Sequence, residues 1–202
     1  MTFRPIEDFA DDPDCPDFIL DAIRKKQRFT EDWFSDGMCE ILASYARETF
    51  DLDGLLVEVG SWEGKSTIAL ANAMWPQQIH AVDTWKGSLG EISWELAKQR
   101  DVYKTFTDNI AAATRGNVVV HKMGWRRWFH DVEGPIRFCF IDAEHSYKEV
   151  RENIEAALPR MVAGGILCGD DVHHPPVIRA VLDTLGPTTV RHGTMWVHRV
   201  AR

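Results

Sequence analysis

Five short apolar runs, each followed by a stretch of helical periodicity, constrain this chain more than any other feature. The runs cover residues 55–59, 78–82, 118–122, 136–142 and 165–168. Helical patterns fall near 65–74, 91–114, 147–161 and 176–185. Alternation of this kind builds βαβ units around a parallel sheet. The C-terminal "TTVRHGTMWVHRV" instead alternates apolar and polar residues on either side of His192-Gly193. That pattern predicts a hairpin of two closing strands, at least one of them antiparallel. Upstream, "DCPDFILDAIRKKQRF" and "TEDWFSDGMCEILASYARETF" read as two helices. Residues 1–50 are therefore expected to form a helical cap and residues 51–202 a ligand-binding α/β unit, together one domain. No internal repeat, low-complexity tract or linker interrupts the 202 residues, a length that suits one sizeable core.

Charge and cysteine usage narrow the function classes. With 23 Lys+Arg against 31 Asp+Glu the net charge is −8, which disfavours a nucleic-acid partner because the usual phosphate-neutralising term is missing. Cys15, Cys39, Cys139 and Cys168 show no C-x-x-C spacing, and the last two sit in apolar runs. Reduced, structural cysteines and a cytoplasmic location are the expectation. The acidic start "MTFRPIEDFADD" does not resemble a secretory signal, and no run of about 18 apolar residues predicts a membrane span.

The first apolar run continues into "LLVEVGSWEGKSTIALA", which ends like a phosphate-binding P-loop at Gly64-Lys65-Ser66. A P-loop wraps the β-phosphate with backbone N–H groups and needs the spacing G-x-x-x-x-G-K-[ST]. Here only Ser61, Trp62 and Glu63 separate Gly60 from Gly64, so the loop is one residue short. Glu58 and Glu63 also place carboxylates where a polyphosphate would have to approach. Gly60 and Gly64 still allow a ligand close to the backbone above a helix start. Asp83, at the end of the second run, lies near the spacing of about 20 residues at which an acid takes ribose hydroxyls in dinucleotide folds. Together these residues predict an adenosine-type ligand, and Glu58 favours one that carries an amino group. On this reading Lys65 and Ser66 are a helix-start lysine and a packing or capping serine. A nucleotide-phosphate transferase using that pair is the competing reading.

Glu58-Val-Gly60-Ser-Trp-Glu-Gly64 resembles the first motif of the class I S-adenosylmethionine (SAM) dependent methyltransferases, and Asp83 resembles their ribose-binding acid. "AVDTWKGS" (residues 81–88) and "FIDAEHSYKEVRENIEAALPRMVAGGILCGDDV" (residues 140–172) are similar to metal-dependent O-methyltransferases of the macrocin and novobiocin sugar-tailoring type. The later block carries Asp142-x-x-His145-x-Tyr147 and Asp170-Asp171. It departs from the pattern at Ala143, where many relatives have glycine. The resemblance implies a Rossmann-like, doubly wound, mostly parallel seven-stranded sheet. It also implies SAM held by Glu58, Gly60, Ser61, Gly64, Ser66 and Asp83, with Trp85 and Trp125 placed to stack on an adenine. The matching blocks leave the cap and the last thirty residues uncovered.

The remaining acids predict a metal. Asp142 closes the fourth strand and Asp170-Asp171 the fifth; if the two strands are neighbours, about 4.8 Å apart, the three carboxylates converge. Unpaired they would repel one another, and an all-oxygen, incomplete shell suits Mg²⁺ or a similar hard cation. A cation there would lower the pKa of a hydroxyl on a small-molecule acceptor, a sugar diol or a catechol-like pair. Glu144 and His145 compete for the role of general base: an extended chain would put Glu144 on the same face as Asp142 and turn His145 away. Trp128 is expected in the core, "GWRRWFH" as a solvated helix, and His80, His121 and His198 in structural roles. His173-His174-Pro175-Pro176 lacks the Asn/Asp and the aromatic of an N-P-P-Y motif and follows the wrong strand for one. Trp33 and Phe34 offer the cap an apolar surface for a homodimer. A non-catalytic SAM-binding module is the third reading.

Overall fold

The computed structural model describes residues 29–31, 33–187 and 189–201. The first cap helix and Cys15 lie outside them. The second is shorter than expected: α1 spans Asp36–Arg47, with the Ser35 side chain accepting from the Met38 N–H at its start. Then follow β1 (Leu55–Val59), α2 (Lys65–Ala73), β2 (Ile79–Asp83), α3 (Ile92–Gln99), α4 (Val102–Ala113), β3 (Val118–Lys122), α5 (Trp125–Asp131) and β4 (Ile136–Ile141). The chain closes with α6 (Tyr147–Ala157), a 3₁₀ turn (Leu158–Arg160), β5 (Met161–Gly169), α7 (Pro175–Leu185), β6 (Val190–His192) and β7 (Met195–Arg199).

The strands form a seven-stranded sheet in the order β3-β2-β1-β4-β5-β7-β6. β1 to β5 pair in parallel, and β7 runs antiparallel to both β5 and β6. Side chains alternate across the sheet as the pleat requires. Phe138 and Phe140 of β4 join Leu56, Leu42, Leu70 and Met74 beneath α1 and α2. Cys139 and Ile141 face the other way, toward Trp128 of α5, Ile154 of α6 and Val181 of α7. Helices thus cover both faces, and the sheet carries the core.

Three departures from the sequence reading have local causes. The helical pattern over 91–114 is two helices, because Arg100 is extended and Asp101 starts α4 by accepting from the Lys104 N–H. The pattern over 147–161 ends at Ala157, where Leu158-Pro159-Arg160 tightens the chain and β5 begins well before residue 165. Phe34 is buried against Phe140, at 5.6 Å between ring centroids, so it serves this chain's own core rather than a partner's surface. Trp33 stays exposed and stacks on Trp62 at 5.4 Å. Among the described cysteines, the buried Cys139 and Cys168 are free thiols. No helix among the described residues is long and apolar enough to cross a membrane.

Candidate active site

Strand order reverses between β1 and β4, and open parallel sheets bind ligands at that point, outside the carboxyl ends of the strands. The two strand ends touch there. A Cβ on Gly60 would lie 1.8 Å from the Asp142 carbonyl oxygen, and Gly60 has φ +90°, so only glycine fits. Beyond that contact the loops diverge around a cleft of about 980 Å³.

One side of the cleft is the glycine loop. Its Ser61 and Trp62 N–H groups both donate to Asp83 Oδ2 at 2.9 Å, and the Trp85 N–H donates to Oδ1 at 2.7 Å. Two of the loop donors that could otherwise turn to a phosphate are therefore already taken. Lys65 pairs with Asp36 at 2.8 Å, which further weakens the nucleotide-phosphate reading. Beneath the loop Glu58 is fully buried. Its Oε2 accepts from Ser61 Oγ at 2.8 Å and from Thr67 Oγ1, whereas Oε1 has no partner. Burial pushes this carboxyl up to about 7, against hydrogen bonds from Ser66, Thr67 and Ser61 that only partly offset it. A buried acceptor without a donor is costly unless a ligand supplies one.

The other side is acidic. β4 and β5 are neighbours, so Asp142 and Asp170-Asp171 follow adjacent strand ends, but Asp170 does not join Asp142 and Asp171 in a ligand group within 4.8 Å. Ligand atoms of Asp142, His145 and Asp171 lie within 4.8 Å of one another. Burial pushes the Asp142 carboxyl well up, and the charges of Asp170 and Asp171 add to the effect. Burial raises Asp170 too, and its Oδ1 has no hydrogen-bond partner. Asp171 moves the other way: burial opposes ionisation, but the His145 imidazole outweighs it. His145 does not turn away. The chain bends after β4 and brings Nε2 to 2.7 Å from Asp171 Oδ2 and Nδ1 to 3.2 Å from Glu91 Oε1. Burial lowers its pKa, but the two carboxylates lift it to about 10. Glu144 lines the same cleft with no hydrogen-bond or ionic partner among the described residues.

A family model described as a methyltransferase domain matches residues 57–172, more than half of the chain. The chain belongs to this methyltransferase family. Solved structures share its fold at low identity. The O-methyltransferase NovP is 16% identical with a TM-score of 0.62, covering 81% of this chain and 79% of its own. TomG, an O-methyltransferase from Streptomyces achromogenes solved in complex with SAM, is 17% identical with a TM-score of 0.63, covering 84% and 82%. An O-methyltransferase from Bacillus cereus in complex with SAH is 15% identical with a TM-score of 0.64, covering 98% and 97%. No curated protein sequence matches the chain.

Within this methyltransferase the predicted site residues divide clearly. Gly60, Ser61, Ser66, Asp83, Trp125, Asp142, Glu144, His145, Asp170 and Asp171 line the cleft, with Glu58 and Gly64 directly behind the loop. Trp125 donates its ring N–H to Glu149 at 3.1 Å and carries Arg126 over its face. Trp85 is a correction. It is only 5% exposed, packs against Tyr103 and Phe106, and donates its ring N–H to the Trp62 carbonyl, so it braces the loop from behind. Its φ of +54° turns it inward immediately after Asp83. Glu91 was missed. It reaches His145 from 54 residues away, and no local spacing signals such a contact.

Proposed function

We propose that this methyltransferase moves a methyl group from SAM to a hydroxyl of a small molecule, with a hard divalent cation such as Mg²⁺ at Asp142, Asp170 and Asp171, in the cytoplasm. The observation that carries the reading is the pairing, across one cleft, of a buried carboxylate with one unpartnered oxygen, Glu58 Oε1, and a carboxylate cluster in which only Asp171 is ion-paired among the described residues. SAM supplies a methyl group that is already electrophilic, on a neutral leaving group. The protein's task is then to position and deprotonate an acceptor.

Glu58 Oε1 fits an amino group, because an ammonium would satisfy it and favour its ionised form. Asp83 lines the cleft with its carboxylate fixed by the Ser61, Trp62 and Trp85 N–H groups, which suits it to accept from a ribose hydroxyl. Trp125 at the cleft wall suits the adenine. On the acidic side, a bound cation would offset the burial and carboxylate repulsion that raise the Asp142 pKa and would favour the ionised hydroxyl of an acceptor. Glu144 is the better base of the two candidates, since it is unpartnered, whereas both ring nitrogens of His145 are engaged by Asp171 and Glu91. His145 then orients Asp171. Leu89 and Ile92, 74% and 67% exposed at the cleft, favour an acceptor with an apolar face, such as a catechol-like diol. The free, buried thiols of Cys139 and Cys168 support the reducing compartment.

Methyl transfer from labelled SAM to a panel of catechols and sugar diols tests the reading. Turnover with a hydroxyl acceptor, lost on chelation and restored by Mg²⁺, is expected. Full turnover after exhaustive chelation would remove the cation from the account.

A further inference from the structure

Two histidine side chains at the lip of the cleft, His173 and His174, remain outside the reaction just described, and both face Asp171. Asp171 uses Oδ2 for His145, while Oδ1 faces His173 Nε2 and His174 Nε2, each at 3.7 Å. The ligand atoms of Asp171, His173 and His174 all lie within 4.8 Å of one another. Donors on one tetrahedral ion at about 2.1 Å each would be about 3.4 Å apart. Both imidazoles are about half exposed, so small rotations close the difference.

The backbone holds the three in place. Asp171 sits at φ +61°, a conformation that non-glycine residues adopt at a cost. The His174 N–H returns to the Asp171 carbonyl at 2.8 Å, and His174 precedes the Pro175-Pro176 start of α7. Those prolines remove two of the N–H groups that a helix start would offer to an anion. The ring of His174 lies 4.4 Å from that of His173 and stacks on His145 at 5.4 Å.

We propose that Asp171, His173 and His174 form a two-histidine, one-carboxylate site for a borderline divalent transition metal ion, which shares only Asp171 with the all-carboxylate site of Asp142, Asp170 and Asp171. Imidazole donors suit Zn²⁺, Co²⁺, Fe²⁺ or Ni²⁺, whereas Mg²⁺ prefers oxygen. Three protein donors leave positions open to water or to an oxygen of a bound molecule. The proposal stands on these residues alone and does not depend on methyl transfer.

Co²⁺ is the probe, titrated into the metal-free full chain and followed by its visible ligand-field absorption. A saturating band that survives a large excess of Mg²⁺ is expected. The band should persist in Asp142→Asn/Asp170→Asn, and Co²⁺ affinity should fall at least about 100-fold in His173→Ala/His174→Ala. His173→Ala alone, at a half-exposed side chain, supplies the same reading if the double variant folds poorly. Absence of a band in the wild-type chain, displacement of Co²⁺ by equimolar Mg²⁺, or unchanged affinity without the histidines would each overturn the proposal.

Discussion

At the scale of single residues, Glu58 gives the sharpest expectation. Its folded pKa of about 7 stands above the ordinary 4.5 because it is buried. The folded chain therefore holds this proton more tightly than the unfolded chain does. Its contribution is unchanged below pH 4.5, falls by about 3 kcal/mol as pH rises to 7, and is flat above that. Asp142 and Asp170 share the same sign, so the comparison must be differential. Urea unfolding of wild type and Glu58→Gln at several pH values should show the variant losing less stability between pH 4.5 and 7. Parallel profiles would contradict the assignment. Asp83→Ala leaves the Ser61, Trp62 and Trp85 N–H groups without their acceptor and should weaken SAM binding by about 1–3 kcal/mol, measured by calorimetry. Glu144→Gln should slow turnover by about 10²–10⁴-fold with little change in SAM affinity. Single-turnover rates across pH would pass the role of base to His145 if that variant stayed near wild type.

Among the elements, the contact between β1 and β4 is the least tolerant of change. Gly60→Ala would drive a methyl group into the Asp142 carbonyl and strain φ at once. A loss of about 2–4 kcal/mol in urea unfolding is expected, and a variant as stable as wild type would mean that the two strand ends can separate. The strands were legible as short runs rich in β-branched and apolar residues between polar turns; Leu55–Val59 and the half-exposed edge strand Val118–Lys122 match to the residue. The break between α3 and α4 was hidden because an amphipathic pattern continues smoothly through Arg100 and Asp101. The site was legible where residues follow a strand end, as Asp83, Asp142 and Asp170 do. It was illegible where a side chain's direction depends on one dihedral, as at Trp85, or on a distant loop, as at His145 and Glu91. The same limit hid the grouping of His173 and His174 with Asp171.

Across the whole molecule, a seven-stranded sheet with its topological switch at β1 and β4 holds a buried carboxylate with one unpartnered oxygen on one side of a cleft and a carboxylate cluster on the other. The account depends on that cleft taking an adenosine ligand with an amino group and not a polyphosphate. Calorimetric titration of the full chain with SAH and with ATP–Mg²⁺, at pH 8 where Glu58 is ionised, tests this directly. Saturable binding of SAH, weakened in Glu58→Gln, with no binding of ATP–Mg²⁺ is the predicted result. Tight binding of ATP–Mg²⁺ that is lost in Lys65→Ala, with no heat from SAH, would contradict it.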